Sequence, residues 1–196
     1  MNARNDGRFS DALGWWGMLA ACLFTLCMES AAAVAQSTER DVVERQVKAA
    51  YLYKFGSYVE WPERAFPQSD NTIKIGIIGA GPLADELTQM VAGRSINGRQ
   101  MSVRKMKPGD SHAGLHILFI GSASNDRLAE ILAAVKGSPV LTITEAEDGL
   151  SLGAMINFVI VDGKLRFEVA PRTAQQGNLS ISARLLSAAL KVAGGG

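Results

Sequence analysis

Ile73-Lys74-Ile75-Gly76-Ile77-Ile78-Gly79-Ala80-Gly81-Pro82 is the stretch from which the fold is read. Its first six residues are apolar on both faces apart from Lys74, the pattern of a strand covered on both sides in a parallel sheet. Gly79-Ala80-Gly81 turns the chain. Pro82 then suits the first turn of a helix predicted to run to about Val91, where its missing N–H and fixed φ cost nothing. A strand, a tight turn and a helix in that order open a βαβ unit.

Downstream the pattern repeats. Gly93 ends the helix, Asn97-Gly98 is a tight turn, and Met101 to Met106 alternates as a more exposed strand. Leu115 to Ile120 is the most apolar strand outside the N-terminal region and is expected at the sheet centre. A helix from about Asp126 to Val135 follows, with Asn125 as its N-cap and Gly137 past its end. Val140 to Ile143 is the next strand, so two successive βαβ units imply right-handed crossovers. Ala154 to Val161 and Lys164 to Val169 then flank Asp162-Gly163, a strong hairpin signal. Pro171 to Gly177 reads as a connector, and a last helix is expected from Ala183 to Val192 with Ser182 as cap. The fold class is a three-layer α/β sandwich: a mostly parallel sheet with an antiparallel edge hairpin, and helices on both faces.

Upstream, Val43, Val47, Tyr51, Phe55, Tyr58 and Val59 recur at spacings of three and four, the stripe of an amphipathic helix from about Asp41 to Val59 that Pro62 stops. All three tyrosines fall in it, beside Phe55 and Trp61. Tyr58, Glu60 and Trp61 at its exit read first as packing and second as a partner anchor, because aromatic residues dominate interface hot spots.

Residues 1–35 are expected to lie outside the domain. Arg4 and Arg8 precede an apolar run from Leu13 to Met28, and Ala33-Val34-Ala35 supplies the small residues of a cleavage site, so a signal peptide is predicted with one domain over 36–196. Leu19-Ala20-Ala21-Cys22 is a rival lipoprotein box that would acylate Cys22, disfavoured because the apolar run continues beyond it. Both cysteines, Cys22 and Cys27, fall in this leader, so the domain must stand without disulfides. With 20 Lys and Arg against 19 Asp and Glu the chain is nearly balanced, which is no nucleic-acid footprint. The local excess of Arg94, Arg99, Arg104, Lys105 and Lys107 reads as a solvated edge rather than an anion site.

The chemical motifs are weak. Gly79-Ala80-Gly81-Pro82-Leu83-Ala84 matches a dinucleotide fingerprint in letters, but Pro82 removes a phosphate-facing N–H, and Lys105 and Lys107 stand where a ribose-binding acid would be. His112 and His116 are separated by Gly114 and a strand start, so they do not share a helical face as a metal pair would. Gly121-Ser122-Ala123-Ser124-Asn125 is not a nucleophile elbow. No catalytic residue, metal ligand or cofactor site is expected. Asn157 on the hairpin and Arg184 at the last helix read as a structural hydrogen-bond network before a ligand site. A second-class reading, a small-molecule sensor, puts its cleft at the C-terminal strand ends near Gly79, Gly81, Ser122 and Thr144.

Beyond these patterns, several blocks carry a resemblance: Lys48-Ala49-Ala50 with the aromatic run closed by Val59-Glu60-Trp61-Pro62, then Ile96-Asn97-Gly98-Arg99, Leu118-Phe119-Ile120-Gly121, Met155-Ile156-Asn157-Phe158 and Ile181-Ser182-Ala183-Arg184-Leu185-Leu186. In this order they resemble the YfiR-like family of exported bacterial proteins, from about Val47 to Val192. The resemblance implies a non-enzymatic periplasmic regulator that binds the outward-facing domain of a membrane diguanylate cyclase and limits cyclic-di-GMP synthesis. It also implies a homodimer. Members that carry paired cysteines differ from this chain, whose two cysteines lie in the leader.

Overall fold

The apolar stretch forms strand β2 in a computed structural model that describes residues 39–67 and 70–194; the expected signal peptide and Cys22 lie outside the described residues. Residues 44–196 form one compact unit, and residues 39–43, which fall outside it, are helical. Helix α1 (39–58) leads into β1 (Val59–Glu60), and a 3-10 turn (Glu63–Ala65) precedes β2 (Thr72–Ile78). Next come α2 (Gly81–Val91), β3 (Ser95–Ile96), β4 (Arg99–Met106) and β5 (Ile117–Ile120). A 3-10 segment (Ser122–Arg127) enters α3 (Leu128–Val135), followed by β6 (Leu141–Thr144), β7 (Ile156–Val161) and β8 (Lys164–Val169). The chain closes with α4 (Pro171–Gln176), β9 (Ser180–Ile181), α5 (Ala183–Ala188) and β10 (Lys191–Val192).

Eight strands form one sheet in the order β10-β8-β7-β6-β5-β2-β4-β3, with β5 inside as expected. From β4 through β2, β5 and β6 to β7 every pairing is parallel, and the β7–β8 hairpin is antiparallel across Asp162-Gly163. The two-residue β10 lies outside that hairpin, parallel to β8. A separate ribbon pairs β1 with β9.

Each face of the sheet has its own core, which makes the fold a three-layer α/β sandwich. On one face α1 and α2 bring Ala49, Leu52, Phe55, Leu83 and Leu87 onto Ile75, Ile77 and Phe119. On the other, Leu128, Ile131, Leu132 and Val135 of α3 cover Ile78, Leu118 and Ile120. Burial on both faces is why β2 and β5 are apolar at every turn of the pleat. Phe55 is the hub of the first core, with ring centroids 5.3 Å from Phe167, 5.8 Å from Tyr51 and 6.0 Å from Phe158.

Four local expectations are corrected. Of the expected stripe, Phe55 and Val59 are buried and Tyr51 and Tyr58 pack against the core, but Val43 and Val47 are exposed and Ala49 and Leu52 are buried instead, so its N-terminal half is a rotated stripe. Asn125 sits inside the 3-10 segment, and α3 starts at Leu128 with no side-chain cap. Pro171–Gln176 is a short helix rather than a connector. Ser182 does cap α5, its hydroxyl accepting from the Leu185 N–H, but α5 stops at Ala188. There the Leu190 N–H reaches the Phe167 carbonyl at 2.8 Å, and sheet pairing replaces the helical ladder.

These positions predict opposite responses to truncation. Phe55→Ala should destabilise by about 3–5 kcal/mol, whereas Val47→Ala should stay within about 0.5 kcal/mol. Urea unfolding of the two variants beside the parent checks this; comparable losses would contradict the rotated stripe.

Candidate functional site

At the C-terminal ends of the parallel strands, β2 and β5 are neighbours, and the chain leaves them in opposite directions, to β4 and to β6. That is where open α/β sheets usually hold a ligand. Here protein fills the place. A Cβ on Gly79 would stand 2.7 Å from the Ser124 Oγ and 3.0 Å from the Gly121 carbonyl, and one on Gly121 would stand 2.9 Å from the Ala80 Cβ. The glycines let the two loops close on each other, with Gly79 at φ 71°. Gly81 opens α2 on the surface, with nothing within 4 Å of an added Cβ. Thr144 is fully buried.

Open space at this end begins one strand further on, in a 450 Å³ cavity between α1 and the hairpin. Lys48 and Glu145 define its wall. One Glu145 oxygen accepts the Ser122 N–H at 2.8 Å, and the other pairs with the Lys48 ammonium, which also reaches Glu44. The Lys48 and Glu145 side chains keep only 14% and 17% of their exposure. Burial alone would lower the Lys48 pKa, but the hydrogen bonds and charges of Glu145 and Glu44 outweigh it and hold it raised. Ser122 therefore contributes its backbone here. Sequence reasoning missed this group, since Lys48 and Glu145 lie 97 residues apart and no local motif couples them. Asn157 stands opposite Thr144 on β7, only 1% exposed, with its Oδ1 unpartnered and Gly149 close above it.

The opposite end of β5 carries a stacked group. The Trp61 indole N–H donates to the His116 carbonyl at 3.1 Å, and the Phe66 ring stacks on the His116 imidazole at 4.3 Å. The Arg99 guanidinium covers Phe66 at 3.6 Å. His116 is 1% exposed, and the Lys74 N–H donates to its Nδ1 at 3.1 Å. Nδ1 is thus an acceptor, and Nε2–H donates to the Ala65 carbonyl at 3.1 Å. Trp61 is half-buried, a structural hook first. Beside this group lies a 680 Å³ cavity whose lining includes Arg64, Lys74, His112 and Ile131. Among the described residues no group of three or more His, Cys, Asp or Glu could hold a metal ion.

Glu60 lies on the β1–β9 ribbon, Tyr58 just before it at the end of α1 and Arg184 just after it on α5. The Tyr58 carbonyl accepts the Ser182 N–H at 2.9 Å, Glu60 pairs with Ser180, and both Glu60 and Arg184 are exposed. The eight sequence-derived candidates therefore fall into three places: Gly79, Gly81 and Ser122 at one end of the sheet; Asn157 beneath the loop after β6; and Tyr58, Glu60, Trp61 and Arg184 around the ribbon.

Burial, helped by the Lys74 and Arg99 charges, holds the His116 pKa below the ordinary histidine value, and burial with the Arg104 charge does the same at His112. With both values held down in the fold, the unfolded chain binds more protons at these positions in acid. Their contribution is complete above pH about 6.5 and is lost as pH falls from there toward the depressed native values. Thermal melts between about pH 8 and pH 5 should show Tm falling on the acid side, and His112→Asn should retain most of the fall because His116 remains. A Tm independent of pH over that window would contradict the neutral latch.

Residues 45–190 match the YfiR/HmsC-like family. No curated protein matches the chain. The matched span runs from within α1 through α5, and so takes in both cores, the Lys48–Glu145 pair and the Trp61–His116 hydrogen bond. The chain belongs to the YfiR/HmsC-like family.

Proposed function

We propose that this protein is exported to the periplasm by a cleavable leader over residues 1–35, and that its domain over 36–196 restrains cyclic-di-GMP signalling. It does so by binding the periplasmic domain of a membrane diguanylate cyclase, as a non-enzymatic regulator that forms homodimers. The observation that carries this reading is membership of the YfiR/HmsC-like family, a regulatory family of cyclic-di-GMP signalling. Two features agree with it. The strand ends where α/β enzymes gather substrates are closed by the packing of Gly79 against Gly121 and Ser124. Glu60 is exposed on the β1–β9 ribbon and Arg184 on the first turn of α5 just after it, where a partner would meet rigid backbone.

The mechanism is a population shift. A regulator that binds the inactive cyclase more tightly than the active one holds the inactive state, and a signal that weakens binding releases it. Trp61 is a poor choice of contact, since its indole N–H is already used by His116.

A second reading, a periplasmic small-molecule sensor, rests on the 680 Å³ cavity beside His116, which falls within the usual range for ligand sites. Ligand-dependent melting would favour it.

Genetic order is the test of the first reading. Deleting the gene should raise cyclic-di-GMP and biofilm formation, and removing the cyclase as well should abolish the rise. Cyclic-di-GMP that stays unchanged in the single deletion, under conditions where the protein is normally made, would overturn the regulator reading.

A further inference from the structure

Strand β4 leaves most of its outer edge unpaired. On its inner side it is matched to β2 from Gln100 to Met106, while on its outer side β3 pairs only with Arg99 and Gln100. The Asn97-Gly98 turn, with φ of 52° and 77°, makes Ile96 and Arg99 the closing pair of a two-residue hairpin, which exchanges both backbone hydrogen bonds. The Arg99 N–H and carbonyl thus point outward. Because these groups alternate along a strand, those of Met101, Val103 and Lys105 point outward too. The hairpin with β3 occupies those of Arg99 and, through the Ser95–Gln100 pairing, the Met101 N–H, while Val103 and Lys105 lie beyond the reach of β3.

The strand is also basic. From Arg99 to Lys107 it carries Arg99, Arg104, Lys105 and Lys107 and no acidic residue. The nearby carboxylates are Asp85, which pairs with Lys105 at 2.7 Å across an exposed contact, and Asp110, which accepts the Lys107 N–H. Arg104 is steadied by the Ser111 carbonyl at 2.9 Å, which leaves its charge uncompensated. A second copy of the chain added antiparallel on this edge would bring two such basic strands together. Like charges in one ladder are destabilising.

We propose that the β4 edge docks an extended acidic segment of a partner protein by strand addition. The Val103 and Lys105 backbone would supply the ladder, with Arg104 and Lys105 meeting its carboxylates and the half-buried Val103 its apolar side chains, while Met101 stays in the core. The inference holds whatever the partner is, so it stands apart from the cyclase reading. If the partner is a cyclase, its outward-facing domain carries the acidic strand.

The test is fluorescence anisotropy with the full chain and a labelled synthetic peptide of alternating glutamate and valine, beside one of lysine and valine. The acidic peptide should bind saturably and weaken as salt rises; the basic one should not bind. Val103→Pro removes one outward N–H without touching the ladder to β2 and should weaken binding about tenfold or more. The pair Arg104→Glu with Lys105→Glu, which leaves the backbone intact, should do the same and covers the case in which the proline variant does not fold. Equal binding of both peptides, undiminished binding to the charge-reversed pair, or an acidic peptide that fails to bind would overturn the proposal. Self-association of the parent lost on Val103→Pro would assign the edge to a second copy and overturn it as well.

Discussion

Helix α1 is fixed to the sheet at both ends of the same central strand, and the rest of the domain is arranged around that constraint. At one end Lys48 meets Glu145, which also holds the Ser122 N–H just past β5. At the other, Trp61 reaches the carbonyl of His116, the residue before β5. The lengths agree: ten helical residues from Lys48 rise about 15 Å, and with the short extended link through β1 they span the roughly 20 Å of a strand from His116 to Ser122. Between the two anchors Leu52 and Phe55 are driven onto the apolar face by burial, each worth about 2 kcal/mol or more of transfer free energy. The polar ends set where the helix sits, and the apolar middle sets how strongly.

That arrangement has a functional consequence. An α/β sheet offers a ready crevice where its chain direction reverses, and here the loop after β2 and the loop after β5 close it by contact between glycine backbones. What remains for recognition is surface: the ribbon of β1 and β9, the basic outer edge of β4, and the cavities at either end of the sheet. A regulator that must favour one state of a partner needs such surfaces more than it needs a reaction centre.

Much of the fold was legible because its strongest signals are local. Doubly buried strands must be apolar throughout, so β2 and β5 announce themselves, and Asn97-Gly98 and Asp162-Gly163 mark turns that need positive φ. The failures share a cause, which is competition from distant partners. Val43 and Val47 form a helical stripe as regular as the buried one, and only the sheet decides that Ala49 and Leu52 face inward. Helix α5 would have continued on propensity, but the open edge of β8 offers backbone partners to residues 190–193. Two-residue strands such as β1, β9 and β10 have no pattern to read. Of the site, the aromatic exit of α1 could be found by composition. The Lys48–Glu145 pair and the His116 latch could not, because each joins residues more than fifty positions apart whose side chains are unremarkable in sequence.

If α1 is held at Lys48, along its buried residues and through Trp61 just past its end, the part from Lys48 onward has no way to open without the sheet. Native-state hydrogen exchange measures this directly, by comparing the Leu52 and Phe55 amides with those of Ile77 and Phe119 in the strands beneath them. The account predicts that all four exchange only through global unfolding, with one free energy and one dependence on denaturant. Exchange at Leu52 and Phe55 through a local opening of lower free energy, while Ile77 and Phe119 stay protected, would contradict it.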